Sequence, residues 1–278
     1  MIEQRSDYAF SRFLKFWRRV HQLSQEELAG RLESSPRHIS RLETGTCRAS
    51  EAIVLQIGEV LALGKRDLNH LLISAGYAPL VERIDFNSPE LRWLRKAMIL
   101  TLRALDPYPA TLVDSDSQIL MVNKGFVNLF TQVVPASLLA QITNNYDFVF
   151  GRSSTDSMVK DWEDTISAII MAGQQAALFS NNPEDQAQID SLVERSGVPP
   201  DWAQRAAKME PRSSFRVQID LRGEVQNFFN VSTIVGSLGP AAFVSDPRLT
   251  INILYPEDDN LDLSFPADAD IRHPLLFY

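Results

Sequence analysis

Apolar residues recur with a helical period through the first eighty residues of the chain. Phe10, Phe13, Leu14 and Trp17 lie at spacings of i, i+3, i+4 and i+7, which places them on one face of a helix. Four more segments with this period follow, and short breaks containing serine, proline or glycine separate them. The pattern predicts five short helices, the fourth of which we expect to end at Gly64.

The second and third helices carry strong signals at their ends. Ser24 and Glu27 have the spacing of a capping box, in which each side chain accepts a hydrogen bond from a backbone N–H at the start of the helix. Ser35 is suited to cap the third helix, and Pro36 to its first position, where a backbone N–H would have no partner. Gly45 is suited to a left-handed residue at the end of that helix.

The third helix, "SSPRHISRLETG", divides its side chains between two faces. Ile39 and Leu42 form the inward pair, and the residues on or near the outward side are Pro36, Arg37, His38 and Arg41. Two short helices joined by a tight turn inside a five-helix unit are typical of a helix-turn-helix DNA-binding domain. The pattern therefore predicts a DNA-binding unit of this class.

The hydrophobic period changes after residue 105. The run "ATLVDSDSQILMVN" is typical of a strand, a polar turn and a second strand, and Asn123 introduces the helix that follows. The segments "SFRVQIDL", "VQNFFNVSTIVG" and "LTINILYP" predict three later strands. A long and mainly helical insert, about residues 126–210, separates the hairpin from these strands.

A connecting helix is predicted between the two regions, over residues 88–105. Ser88 and Pro89 are suited to its start. Its stripe has alternating spacings of three and four and consists of Leu91, Leu94, Met98, Thr101 and Leu105. Two interpretations remain open: the helix packs on its own domain, or it also dimerises and transmits a signal.

The charge of the chain is unevenly distributed. The 278 residues include 27 Lys or Arg and 35 Asp or Glu, which gives a net charge of -8. Residues 1–83 hold 12 basic and 10 acidic side chains, whereas residues 84–278 hold 15 and 25. Only the first region therefore has the positive balance that favours binding to a polyanion.

The composition is that of an ordinary globular protein, with 45% hydrophobic and 22% charged residues. No apolar run reaches the roughly 18 to 20 residues of a membrane span. The first ten residues lack the pattern of a signal peptide. Cys47 is the only cysteine, which excludes intrachain disulfides and thiolate metal cages. We expect a cytoplasmic protein that does not bind a membrane.

Motifs of enzyme chemistry are missing from the sequence. It contains no glycine-rich phosphate loop, no Gly-x-Ser-x-Gly turn and no His-Glu-x-x-His pair. The four histidines, at positions 21, 38, 70 and 273, are dispersed along the chain. We therefore expect no catalytic residue, no metal site and no enzymatic activity.

The blocks "LSQEELAGRL" and "SSPRHISRLETG" resemble the Xre/phage-repressor family of DNA-binding domains. The resemblance extends over about residues 7–76 and implies a lambda-repressor-like fold that binds double-stranded DNA. Arg18 and Glu43 occupy positions that form an ion pair in members of that family.

The same resemblance implies a set of DNA contacts. Arginine at positions 37 and 41 can bind the O6 and N7 atoms of guanine through two hydrogen bonds, whereas Pro36 offers only van der Waals contact. Gln25 and Arg48 are implied to contact phosphates. The predicted DNA-binding residues are Gln25, Ser35, Pro36, Arg37, His38, Ser40, Arg41 and Arg48.

The segments "LLISAGYAPL", "ALDPYPATLVDSDSQILMVNKGF", "DWE" and "NPEDQAQIDSLVE" together resemble the MmyB-like ligand-binding regulators. Those proteins join an Xre-type DNA reader to a PAS-like sensor. The resemblance implies that the sensor binds an apolar small molecule, and a long-chain fatty acid is the expected ligand type. No other cofactor is expected.

Candidate ligand-binding residues in the sensor are apolar side chains at inward positions, although such side chains are also typical of an ordinary core. They are Phe126, Phe130, Phe148, Phe150, Trp162, Ile166 and Phe215. A carboxylate ligand requires a cationic or amide group at the pocket mouth, for which the candidates are Arg152, Arg212 and Arg216.

These observations predict an α+β protein with a five-helix DNA-binding domain over residues 1–78. A linker and connecting helix occupy residues 79–105, and a PAS-like antiparallel-sheet sensor with a large helical insert occupies residues 106–278. We expect a homodimeric, ligand-responsive transcription regulator that reads a palindromic operator. The alternative is an antitoxin-like module whose helix-turn-helix domain binds a protein partner.

Overall fold

The computed structural model describes residues 3–80, 85–150, 162–180, 183–195, 197–209, 216–221, 223–236, 249–264 and 273–278. The chain divides into two compact units, the first consisting mainly of residues 1–82 and the second mainly of residues 83–278. The first unit is helical, and the second combines helices with one sheet.

Five helices make up the first unit: α1 (Glu3–Val20), α2 (Gln25–Arg31), α3 (Pro36–Thr44), α4 (Glu51–Val60) and α5 (Lys65–Ser74). Their apolar stripes meet in one core. The side chains that are completely buried there include Leu14, Leu28, Ile39, Leu42, Ile57 and Leu71. The predicted five-helix unit is confirmed, because each helix buries the face that its sequence period marks as apolar.

The end of α4 differs from the prediction. Ala62 takes the left-handed conformation, with φ of 44°, and the N–H of Leu63 donates to the carbonyl of Gly58 at 2.9 Å. Gly64 has φ of −61° and caps the start of α5. The prediction that Gly64 ends α4 is wrong, because the connection is so short that this glycine belongs to the next helix.

The second unit begins with a 3-10 turn (Pro89–Leu91) and α6 (Arg92–Ala104). Its strands are β1 (Ala110–Val113), β2 (Ile119–Val122), β3 (Arg216–Leu221), β4 (Glu224–Val235) and β5 (Leu249–Pro256). The helices between β2 and β3 are α7 (Lys124–Phe130), α8 (Ala136–Leu139), α9 (Asn145–Phe150), α10 (Trp162–Ser180), α11 (Pro183–Val193) and α12 (Trp202–Lys208). The predicted hairpin, helical insert and three later strands are all present, which confirms the α+β fold.

The five strands form one antiparallel sheet in the order β2-β1-β5-β4-β3. Side chains alternate between the two faces of each strand, so directly paired residues share a face. On the inner face, Val113, Ile219 and Phe228 pack in one cluster with α7. On the outer face, Leu112 and Ile251 pack in a second cluster with α6.

The connecting helix packs on its own sheet through a slightly different stripe from the one expected. Met98 and Leu102 are buried on the outer face of the sheet, whereas Thr101 is exposed. Ser88 makes no capping hydrogen bond, because a 3-10 turn rather than an α-helix follows it. Thr101 is therefore not part of the packed face, and Leu102 takes its place.

The helical insert has an apolar cluster of its own. Ile166 and Ile170 of α10 pack there against Ile189 and Leu192 of α11. The side-chain amide of Gln188 on α11 donates to the carbonyl of Asp116 in the β1–β2 turn at 3.2 Å. The insert is thereby held beside the hairpin and has a core separate from the clusters on the sheet.

Candidate nucleic-acid interface and sensor core

The start of α2 and the turn after it set the position of α3. Ser24 and Glu27 form the predicted capping box at the start of α2. Glu33, in the turn, takes a left-handed conformation with φ of 48°. Ser35 then caps α3 by accepting a hydrogen bond from the N–H of His38 at 3.2 Å. The two helices are therefore joined by the tight turn of a helix-turn-helix motif.

Glu43, the acidic residue of α3, is turned inward and paired. Its carboxylate accepts hydrogen bonds from Nε of Arg18 at 2.6 Å and from Nη2 at 3.0 Å, which confirms the ion pair that the resemblance implied. Nε2 of Gln25 donates to the same carboxylate at 2.8 Å. Burial by itself would raise the pKa of Glu43, but the hydrogen bonds from Arg18 and Gln25 hold it below its ordinary value.

The outward surface of α3 carries positive charge. Pro36, Arg37 and Arg41 are exposed on α3, as predicted from the sequence, and the capping residue Ser35 is exposed beside them. Glu43 points inward and pairs with Arg18, so the charged side chains that α3 exposes are its two arginines. Such a surface can donate hydrogen bonds to phosphates and to the edges of bases.

The other predicted DNA-binding residues are less exposed or are tied to neighbours. Ser40 is half-buried, and so is His38, whose Nδ1 lies 2.9 Å from Oγ of Ser34. Gln25 is also half-buried, since its amide holds Glu43. These contacts orient α3, and the DNA contacts of the three residues stay predictions.

Arg48 lies exposed in the loop after α3, beside an aromatic ring. Its guanidinium is 5.9 Å from the ring centroid of Tyr77. The hydroxyl of Tyr77 donates to the carbonyl of Ala49 at 2.8 Å, which fixes the ring. The cationic group is thus held at the surface of the first unit, where a phosphate could reach it.

In the sensor, the candidate ligand-binding residues fall into two clusters. Phe126 and Phe130 on α7 are buried with their ring centroids 4.7 Å apart, in the cluster on the inner face of the sheet. Phe150 and Ile166 lie instead in the cluster of the insert. The structure therefore does not bring all the candidate aromatic residues into one pocket.

Most of the remaining ligand candidates lie, wholly or with their side chains, outside the residues that the structure describes. Phe148 and Trp162 lie in α9 and α10, but their side chains fall outside the described residues. Phe215, Arg152 and Arg212 also lie outside the described residues.

Arg216, one of the three candidate anchors, is described and is already paired. It lies at the start of β3, half-exposed, with its Nε 2.5 Å from Oε1 of Glu257. Strand alternation places it on the outer face of the sheet, because Val217 beside it packs in the inner-face cluster. It is therefore not an anchor for a ligand on the inner face.

Asn123 joins the hairpin to α7, as its position in the sequence predicted. Its Oδ1 accepts hydrogen bonds from the N–H groups of Phe126 and Ala110, each at 2.8 Å. Its Nδ2 donates to the carbonyls of Tyr108 at 2.8 Å and Leu102 at 3.3 Å. One completely buried side chain thus ties together α6, β1 and α7.

Sequence reasoning did not anticipate that residues 273–278 pack beside β2. The carbonyl of Leu275 accepts a hydrogen bond from the N–H of Val122 at 2.9 Å. The hydroxyl of Tyr278 donates to Asp106 at 2.7 Å, and burial together with this carboxylate raises the pKa of Tyr278. The apolar ending "PLLFY" after an acidic stretch was the available signal, since such a run is suited to packing on a core.

Comparisons with known proteins agree with this division of the chain. A family model of a helix-turn-helix domain matches residues 9–71. A second model, the MmyB-like transcription regulator ligand binding domain, matches residues 94–253, which is more than half of the chain. The chain belongs to the MmyB-like transcription regulator family. A comparison with curated proteins gave no match.

The MmyB-like regulator therefore combines a DNA-binding domain with a ligand-binding domain, and it is a ligand-responsive transcription regulator. Both domains are those of a regulator, which suggests a protein that is not an enzyme. Within the described ranges, no group of three or more His, Cys, Asp or Glu side chains is placed to hold a metal ion. Among the helices that the structure describes, none has the length and apolar character needed to cross a membrane.

Proposed function

We propose that this MmyB-like regulator binds a palindromic DNA operator as a homodimer and that an apolar, fatty-acid-like ligand in the sensor alters this binding. The observation that carries the DNA-binding part is the exposed face of α3. That face presents Arg37 and Arg41, while the acidic side chain of the helix is turned inward and paired.

Each predicted DNA-contacting residue on and around α3 has a proposed role. Arg37 and Arg41 contact base edges, where one bidentate contact to guanine contributes about 1–3 kcal/mol of discrimination. Pro36 contributes shape through van der Waals contact. Gln25 and Arg48 contact phosphates, which position the protein without reading sequence.

A second copy is proposed because a palindromic operator presents two half-sites about 34 Å apart. The exposed side of α6 supports this proposal, since it carries Trp93 and Leu100 at 64% and 55% exposure opposite the packed residues Met98 and Leu102. Leu100→Glu should convert a dimer into a monomer in light scattering. Val225→Glu alters an equally exposed apolar residue on β4 and should leave the mass unchanged.

The ligand is proposed to act through its differential affinity for two conformations of the regulator. A ligand can shift such an equilibrium only as far as its affinity differs between the two states. Buried aromatic side chains such as Phe126 and Phe130 support an apolar ligand, because they provide an apolar environment on the inner face of the sheet.

The DNA-binding proposal is tested by selecting binding sites from a random DNA library with the purified protein. We expect enrichment of a palindrome, and its affinity should fall steeply with salt. On that sequence, Arg37→Ala should lower affinity about tenfold or more. The control is Arg19→Ala, which removes an exposed arginine from α1.

Two results would overturn this proposal. One is the absence of any enriched sequence, which would favour the alternative of a protein-binding, antitoxin-like module. The other is unchanged affinity after both Arg37→Ala and Arg41→Ala, which would remove α3 as the reading element.

A further inference from the structure

Three polar side chains form one row across the inner face of the sheet. Thr111 on β1 pairs directly with Asn252 on β5, and Asn252 pairs directly with Ser232 on β4. Directly paired residues share a face, and this face is the one that carries Phe228 and Val113. Polar side chains therefore cross the middle of a face whose packed residues, Val113, Ile219 and Phe228 among them, are aliphatic and aromatic.

The outer face of the same three strands has no such row. There, Ala110 pairs with Ile253, which pairs with Val231 on β4. Ile253 is buried against α6, and strands of this kind disfavour amide side chains. The polar row is thus a feature of one face of these strands.

Hydrogen bonds join Ser232 and Asn252 of this row to Asn230, the preceding inward residue of β4, and leave part of the two amide groups unused. Nδ2 of Asn230 donates to Oγ of Ser232 at 3.2 Å, and this hydroxyl donates to Oδ1 of Asn252 at 2.7 Å. The two amides can also be assigned in reverse, with the hydrogen bonds running the other way. With either assignment, the NH2 group of one of the two asparagines, Asn230 and Asn252, and the side-chain carbonyl of the other have no hydrogen-bond partner in the described part of the chain.

The row lies between apolar side chains on the same face. On one side, Leu254 follows Asn252 at the next inward position of β5 and packs in the cluster with α7. On the other side, Ile234 of β4 is 61% exposed. Asn252 and Asn230 are half-buried, and Ser232 is exposed. A molecule with a polar head and an apolar tail matches this arrangement.

We propose that Asn252, Ser232 and Asn230 bind the carboxyl head group of a fatty-acid-like ligand, whose tail lies along the inner face. Amide N–H groups donate to the carboxyl oxygens, so recognition relies on hydrogen bonds from uncharged side chains. This inference rests on the proposed function in one respect, which is that the sensor binds an amphipathic molecule of this class.

The test uses the full-length protein, freed of bound lipid, and titrates it with dodecanoic acid and with 1-dodecanol in a calorimeter. Asn252→Leu should weaken binding of the acid about tenfold or more, because hydrogen bonds to a charged group are lost. The matched control is Asn227→Leu. Asn227 lies on β4 on the outer face, where it accepts a hydrogen bond from Gln218 at 2.8 Å. Replacing Asn227 should leave binding of dodecanoic acid unchanged.

A second substitution separates head-group recognition from general damage to the sheet. Asn252→Asp places a carboxylate in the row, so at pH 8 it should weaken binding of dodecanoic acid by a larger factor than binding of 1-dodecanol. Unfolding temperatures of all variants are compared, so that a loss of binding is attributed to the row only where the fold is retained.

The outcomes distinguish this inference from the proposed function. If the unaltered protein binds the acid and both Asn252 variants bind it equally well, the polar row is not the head-group site, while the ligand class stands. If the unaltered protein binds neither compound, both the ligand class and the head-group site are wrong. Equal weakening of acid and alcohol by Asn252→Asp would also overturn the inference.

Discussion

The two units of this regulator differ in how far apart along the chain their contacting residues lie. In the first unit, Glu43 is 25 residues from its partner Arg18. In the second unit, Asp106 is 172 residues from Tyr278, which donates a hydrogen bond to it. Likewise, β1 pairs with β2 on one side and on the other with β5, the last strand in chain order.

This difference explains why the DNA-reading surface is visible in the sequence and the sensor core is not. A short separation between partners keeps the entropy cost of loop closure low and the signals for each helix local. A sheet built from both ends of its unit depends instead on which strands become neighbours. Substitutions at distant and at local contacts test this contrast.

The largest effect is expected in the second unit, at Asn123. Asn123→Ala leaves two buried N–H groups and two carbonyls without the side chain that satisfies them. We expect the free energy of unfolding of this unit to fall by about 4 kcal/mol. Urea unfolding followed by hydrogen exchange in peptides of the second unit measures the loss.

The matched control for this prediction is Asn128→Ala, because Asn128 lies half-buried on the same helix α7. It should change stability much less. If the two substitutions have equal effects, Asn123 does not tie the distant elements together as the structure indicates.

The next largest effect is expected at the ion pair of the first unit. Glu43→Ala leaves the guanidinium of Arg18 partly buried without its carboxylate, which should cost about 3 kcal/mol of stability. Hydrogen exchange in peptides of the first unit checks this loss. Glu59→Ala, which removes an exposed carboxylate from α4, should be nearly neutral.

The pH dependence of that pair has a definite sign. Because the folded-state pKa of Glu43 is lowered, its stabilising effect is present above the ordinary carboxyl pKa and is lost as pH falls through the folded-state value. The stability difference between the unaltered protein and Glu43→Gln should therefore shrink in acid. A difference that grows on acidification would contradict the assignment.

A smaller effect is expected where residues 273–278 contact the sheet. Tyr278→Phe removes the hydroxyl that donates to Asp106 and should cost about 1 kcal/mol. The amide of Val122, which donates to Leu275, should then exchange faster. Tyr255→Phe serves as the control, since no hydrogen bond involves its hydroxyl within the described residues. Unchanged exchange at Val122 would show that this contact does not hold the segment in place.

An effect of similar size is expected at a purely local contact. Ser35→Ala removes the cap of α3 and should cost about 1 kcal/mol. Ser35→Asp provides another good capping side chain, so it should restore most of the stability in thermal unfolding. If Asp fails to restore it, the role of Ser35 is not capping.

The sequence alone determined most of the first unit and the identity of the elements in the second. Ser24, Glu27, Ser35 and Gly45 act within a few residues of their positions, so their roles could be inferred without knowledge of the fold. The same reasoning failed at Gly64, because the end of α4 and the start of α5 are so close that the glycine caps α5 and does not end α4. It also failed at Thr101, where packing on the sheet selected a different residue, Leu102.

Only the tertiary structure decided which distant residues meet in the sensor. Strand periodicity identifies the inward side chains of β1, β4 and β5, but it does not say which strands pair or in what register. The row of Thr111, Asn252 and Ser232 exists because β5 inserts between β1 and β4. Register is set by the packing of both faces of the sheet, a property of the whole unit that no local segment contains.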